Sequence, residues 1–216
     1  MTSEQLPGGD CDLSDDAESA ARTAASLIAA LSLASTSQGR PFHIALAGGT
    51  TPMRAYELLA DRPRRGEVEW SRWNVWFGDE RACPPDDVSS NYNMARTALL
   101  DHVPVGTVHR MPGERPDLDA AAAEYSSLLA ETAPPGPHRA PCLDLVLLGL
   151  GENGHTASLF PGTPALGVTD AWATRGRADY SPFDRITLTF PAINAARHVI
   201  FMVTGGANGQ ALRDVI

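Results

Sequence analysis

The 216-residue chain contains no lysine: all seventeen of its basic residues are arginine. Chemistry that runs through a lysine amine is thereby excluded, whether a Schiff base to a carbonyl substrate or pyridoxal phosphate, or a P-loop lysine on a nucleotide. Cysteine is scarce too. Cys11, Cys83 and Cys142 are odd in number, far apart and without a C-x-x-C pair, which argues against a disulfide framework and a zinc site and fits a reducing cytoplasm. No apolar run approaches the roughly eighteen residues of a membrane span. The N-terminus lacks the basic region and apolar stretch of a signal peptide. The chain therefore reads as soluble and intracellular.

What is present is the composition of one compact domain, 43% hydrophobic and 20% charged, large enough to bury a core without metal or disulfide support. The net charge is −9, and six acidic residues from Glu4 to Glu18 precede the first arginine. Such a field repels nucleic acid and acidic membranes, so an anionic ligand needs locally placed arginines. Residues 1–14 read as a flexible acidic tail and residues 15–216 as a single domain.

Along the chain, apolar runs alternate with helical patterns. An Ala-rich helix is expected from Asp15 to about Ala34, with Asp15 and Glu18 at capping-box spacing. "FHIALA" (42–47) reads as a buried strand, "GGTT" as a turn, and "PMRAYELLA" as a helix with Pro52 in its first position. "WNVWF" (73–77) is a second strand, leading through a loop to a helix that begins near Ser90 or Asn91. A helix over "DLDAAAAEYSSLLAET", a loop over residues 134–141 and the strand "LDLVLLGL" follow. Further on come strands near Ala171 to Thr174, at 185–190 and at 198–204, a short "PAINAAR" helix and a terminal one. This alternation predicts an α/β fold: a mostly parallel sheet with helices on both faces.

The segment "LDLVLLGLGENGHTASLFPG" carries Gly149, Gly151 and Gly154 in the G-x-G-x-x-G spacing of a dinucleotide turn. That reading needs a long helix after the turn and an acidic residue about twenty positions on. Asp170 sits at about that distance, but Pro161 and Gly162 stop any helix that begins near Thr156. His155 is the more informative residue. It lies beside a glycine-rich turn at the carboxyl end of an apolar strand, where open α/β sheets bind ligands, and an imidazole there can act as a general base toward water.

Three segments, "ALAGGTTP" (45–52), "WFGDERACPPDDVSSNYNMARTALL" (76–100) and the His155 segment, resemble the 6-phosphogluconolactonase family, relatives of glucosamine-6-phosphate deaminase. The likeness continues through residues 184–205. It implies a three-layer, Rossmann-like fold and hydrolysis of 6-phospho-D-glucono-1,5-lactone without metal or cofactor. The implied partner is a small phosphosugar lactone, with no nucleic acid or membrane, and a homo-oligomer stays open. By this resemblance Gly48, Gly49, Thr50 and Thr51 cradle the phosphate at a helix start. Arg81 grips it, Asp79 orients Arg81 or binds sugar hydroxyls, and His155 activates water. Amides around Gly151 to Gly154 would steady the oxyanion.

The chain departs from the family in three places. Asn153 stands where many members have an aspartate before G-H, so a neutral amide would orient His155. Asn208 stands where a lysine is usual, leaving Arg185, Arg175 or Arg177 to compensate. The C-terminal part is also shorter than in the resembling proteins. A weakly active or non-catalytic phosphosugar binder is therefore one alternative, and an aldose–ketose isomerase or amino-sugar phosphate deaminase another.

Overall fold

The computed structural model of the protein describes residues 2–6, 9–136 and 140–215. Residues 1, 7 and 8 of the expected tail and 137–139 of the expected 134–141 loop lie outside them. Within the acidic N-terminal stretch, β1 (Thr2–Leu6) and β2 (Gly9–Leu13) pair antiparallel as a separate two-stranded ribbon, where the composition had suggested a loose tail.

Helix α1 (Ala17–Thr36) is capped by Asp16, whose carboxylate accepts the Ser19 amide at 2.7 Å. The cap falls one residue later than the Asp15–Glu18 spacing suggests. Glu18 is drawn away from any capping box, because it pairs with Arg22 at 2.6 Å and Arg54 at 2.7 Å. Strand β3 (Phe42–Leu46) is buried at every position and leads into α2 (Thr50–Ala60). Pro52 is the third residue of that helix rather than the first, so Thr50 and Thr51 supply the helix-start amides.

Strand β4 (Trp73–Phe77) continues through Gly78 into β5 (Asp79–Arg81); α3 (Asn91–Ala95), β6 (Thr107–Val108) and α4 (Leu118–Thr132) follow. Ser90 caps α3 by accepting the Asn93 amide, as its sequence position predicts. The rest of the chain runs through β7 (Leu145–Leu148), β8 (Ala173–Arg177), β9 (Asp184–Leu188), α5 (Phe190–Asn194), β10 (His198–Phe201) and α6 (Gly209–Val215).

Five strands form a wholly parallel sheet in the order β10-β7-β3-β4-β6. From β3 the chain first builds outward through β4 and β6, then returns to lay β7 on the other side of β3. The strand order reverses between β3 and β7, and a crevice opens at their carboxyl ends, the place where open α/β sheets bind ligands. Asp144 pins the opposite end. Its carboxylate accepts the His43 amide at 2.9 Å and pairs with Arg40 at 3.1 Å and Arg197 at 3.3 Å, tying the starts of β3, β7 and β10 together.

The strands expected near 171–174 and 185–190 do form, but not in this sheet. They make a separate antiparallel sheet in the order β5-β9-β8. Residues 178–183 are too few for a crossover to a parallel neighbour, so β8 and β9 fold back as a hairpin. Gly78 passes the chain between the two sheets. Its amide donates to Leu46 O at 2.9 Å in one, and its carbonyl accepts from the Leu188 amide at 2.8 Å in the other. This handover carries Asp79 and Arg81 to the mouth of the crevice.

Candidate active site

A cleft of about 290 Å³ sits at the switch between β3 and β7, near the lower size limit of small-molecule sites at roughly 300 Å³. The loop after β3, the turn after β7, the start of β5 and the β8–β9 hairpin all reach it. Of the residues singled out in the sequence, Gly48, Gly49, Thr50, Thr51, Asp79, Arg81, Gly151, His155, Arg185 and Asn208 line it. Asn153, which hydrogen-bonds His155, and Gly154 do not line it, nor do Arg175 and Arg177.

The loop after β3 is shaped for close approach. Gly49 has φ of 101°, open to glycine at little cost. A side chain at Gly48 would collide with the Asn91 carboxamide. Gly49 at the N-cap offers α2 no side-chain acceptor, and Thr50, Thr51 and Pro52 of its first turn line the cleft, a helix start of the kind that attracts anions. Thr51 is held by a 2.6 Å hydroxyl contact to Thr204, on the loop after β10.

Asn91 organises the opposite wall. Its Nδ2 donates to both the carbonyl and the carboxylate of Asp79 at 2.8 Å, while its Oδ1 accepts from Arg81 Nη1. Arg81 Nη1 also donates to Ser89 O at 3.1 Å. Arg81 makes no ion pair among the described residues, and Asn91 stands between its guanidinium and the Asp79 carboxylate. The other Asp79 oxygen accepts from Ser158 Oγ at 2.6 Å. Glu80 is the residue that sequence reasoning missed. Buried beneath the site, it accepts from the Arg81, Asn91 and Tyr92 amides and from Ser90 Oγ, clamping β5 to the start of α3. Burial pushes its carboxyl above the usual carboxylate range, against these four donors. The signal was available in Ser90 and Asn91, a helix start whose free amides need an acceptor.

Arg185, not Arg175 or Arg177, supplies the second cation. Arg175 is spent on Asp119 and Asp184, and Arg177 on Asp184, outside the cleft. Arg185 is 1% exposed, its Nε donates to Pro182 O at 2.7 Å, and its guanidinium lies 5.1 Å from the Tyr180 ring centre. Its Nη2 has no hydrogen-bond partner among the described residues. A buried guanidinium with a spare donor on the wall of a cleft is poised for an anionic or hydroxylated ligand. Asn208, where the family's lysine is expected, donates its amide to Thr204 O at 3.1 Å.

His155 stacks on Phe160 with ring centres 4.0 Å apart. Its Nδ1 lies 2.6 Å from Asn153 Oδ1. Burial pushes its imidazole below the usual histidine range, against the upward pull of Asp79 and Asp179, so it is neutral at pH 7. Gly151 has no room for a side chain because the imidazole occupies that space. Two of the amides expected around the oxyanion, those of Gly151 and Gly154, are already engaged within the turn. Gly151 N–H donates to His155 O at 2.8 Å and Gly154 N–H to Gly151 O at 3.0 Å, closing the turn on itself. The dinucleotide reading fails: no helix lies between β7 and Pro164, and residues 152–163 run through turns closed by a Thr156–Leu159 bridge.

A crevice with two arginines, an uncapped helix start and a neutral, oriented histidine is suited to an anionic substrate attacked by water. The family model described as glucosamine-6-phosphate isomerases/6-phosphogluconolactonase matches residues 14–216. The chain belongs to this family. It is 42% identical over 205 residues to a 6-phosphogluconolactonase of Nostoc sp., covering 94% of this chain and 82% of the relative. With the 6-phosphogluconolactonase of Synechocystis sp. it shares 44% over 174 residues, 80% of this chain and 70% of the relative. The fold of Trypanosoma brucei 6-phosphogluconolactonase superposes with a TM-score of 0.85 at 33% identity, over 95% of this chain and 85% of that one. In this structure the three motif-bearing segments meet around one crevice.

Proposed function

We propose that the chain hydrolyses 6-phospho-D-glucono-1,5-lactone to 6-phospho-D-gluconate. Kinship with named lactonases at 42% and 44% identity supports the substrate class. The observation that carries the mechanism is that His155 and the two arginines line one cleft. The phosphate is held by the α2 start with Thr50 and Thr51 and by Arg81, and Arg185 reaches a sugar or phosphate oxygen. Residues 15–216 act as one unit in this reading, and its place of work is the cytoplasm, where the three thiols stay reduced.

In the chemical step His155 Nε2 takes a proton from water as the water oxygen bonds to the lactone carbonyl carbon. The carbonyl electrons move onto oxygen, then return as the bond to the ring oxygen breaks. The ring oxygen leaves with the proton that His155 gives back, and the new carboxylic acid ionises. A positioned base of this kind contributes about a hundred- to ten-thousandfold. Following lactone loss and ammonia release from glucosamine 6-phosphate in parallel tests the reading. Lactone loss well above the spontaneous rate with no ammonia supports it, whereas ammonia release, or binding of 6-phosphogluconate without any rate, overturns it.

A further inference from the structure

We infer that Asp179, on the β8–β9 hairpin, is a positioning residue that acts on His155 through Asn153. The inference rests on the proposed role of His155 as the base.

Asn153 Oδ1 accepts two donors from His155: the backbone amide at 3.2 Å and the ring at 2.6 Å. The backbone donor fixes the orientation of the carboxamide. Were it flipped, an NH₂ group would face an N–H. With Oδ1 committed to accepting, the ring nitrogen 2.6 Å away must carry the proton, so His155 is the Nδ1–H tautomer and Nε2 keeps its lone pair. The same orientation turns Asn153 Nδ2 outward, where it donates to Asp179 Oδ2 at 3.3 Å. Carboxylate, amide and imidazole thus form a chain with every donor facing an acceptor. The negative charge that an aspartate at 153 would place directly on the histidine is supplied here one residue further out, across a neutral amide.

The hairpin is braced against the same ring. Tyr180, next to Asp179, lies 6.4 Å from the His155 ring and 5.8 Å from Phe160, beneath the Arg185 guanidinium. The charged groups facing His155 are Asp79 and Asp179, which favour its protonated form, and Arg185, which opposes it. Asp179 is exposed, so its effect is modest and screened by salt.

The test is Asp179→Asn in the full chain, read by NMR titration of the His155 imidazole and by the pH profile of kcat. The expected result is a His155 titration about half a pH unit lower, a weakened Nδ1–H tautomer signature and a kcat loss of about two- to fivefold. The acidic limb of kcat should move down with the titration. In an Asn153→Asp background the same change should no longer slow the reaction, since a carboxylate then contacts the ring directly. Asp179→Ser should repeat the result with a different side chain. An unchanged titration and tautomer in both Asp179 variants overturns the inference. The NMR arm needs no turnover: shifted titration in a chain that hydrolyses no lactone sinks the functional reading and leaves this one standing.

Discussion

The α-carbon of Gly48 packs so closely on the Asn91 carboxamide that a methyl group there would occupy its space. Asn91 in turn holds both Asp79 and Arg81. Gly48→Ala should therefore displace the Asn91 side chain and release the arginine, lowering kcat/KM at least tenfold, mostly through KM. Global stability should fall by only about 1–3 kcal/mol, the usual cost of overpacking. Steady-state kinetics beside thermal unfolding checks this; an alanine variant with ordinary KM contradicts it.

Glu80 performs a structural task with a charged group. Its four donors come from the backbone of β5 and the start of α3 and from the cap residue itself. Glu80→Gln puts an NH₂ group among donors, so one buried bond is lost and another becomes repulsive. A stability loss of about 2–4 kcal/mol in urea unfolding is expected, along with weaker substrate binding as β5 loosens. A variant as stable as the parent would show that the clamp is not needed.

Acid should unfold the protein through neutral histidines. His43 Nδ1 accepts from Trp76 Nε1, and His109 stacks on the face of that indole, its buried Nε2 without a partner among the described residues. Burial holds His43, His109 and His155 below the usual histidine range. The unfolded chain therefore binds more protons than the folded one, and stability is lost as pH falls through the unfolded histidine value of about 6.5. Melting temperature and Trp fluorescence should both drop from pH 7.5 to pH 5.5. His109→Leu should flatten that dependence, and an unchanged slope in the variant would contradict the assignment.

Arg185 and Arg175 offer a matched pair. Arg185→Lys keeps charge but loses the planar fork over Tyr180, and should raise KM about tenfold or more. Arg175→Lys, at an exposed ion pair outside the cleft, should leave KM unchanged and shift stability by less than about 1 kcal/mol. Equal effects of the two substitutions would remove Arg185 from the site.

Much of this was legible in the residues. The apolar runs "FHIALA" and "LDLVLLGL" contain β3 and β7, the two strands that flank the crevice, and Ser90 before Asn91 is the helix start it resembles. Local pattern did not reveal long-range bonds. Asp144 tying three strands, Glu80 beneath the site and Asn91 between Asp79 and Arg81 are set by which elements meet, and short-range spacing is silent about that. The split of β5, β8 and β9 into their own sheet follows from a short hairpin and from Gly78, neither of which changes the alternation of apolar residues. Two of the expected oxyanion amides, Gly151 and Gly154, are taken up because a tight turn uses its own N–H groups.

The proposed mechanism has His155 as the base facing a phosphosugar held by the arginines and the α2 start. Its most direct test is the rate of 6-phosphogluconolactone hydrolysis at saturating substrate, spontaneous loss subtracted, for the parent chain and for His155→Gln. At least about a hundredfold loss of kcat with binding of 6-phosphogluconate retained is the predicted result. A glutamine variant that turns over as fast as the parent would contradict it.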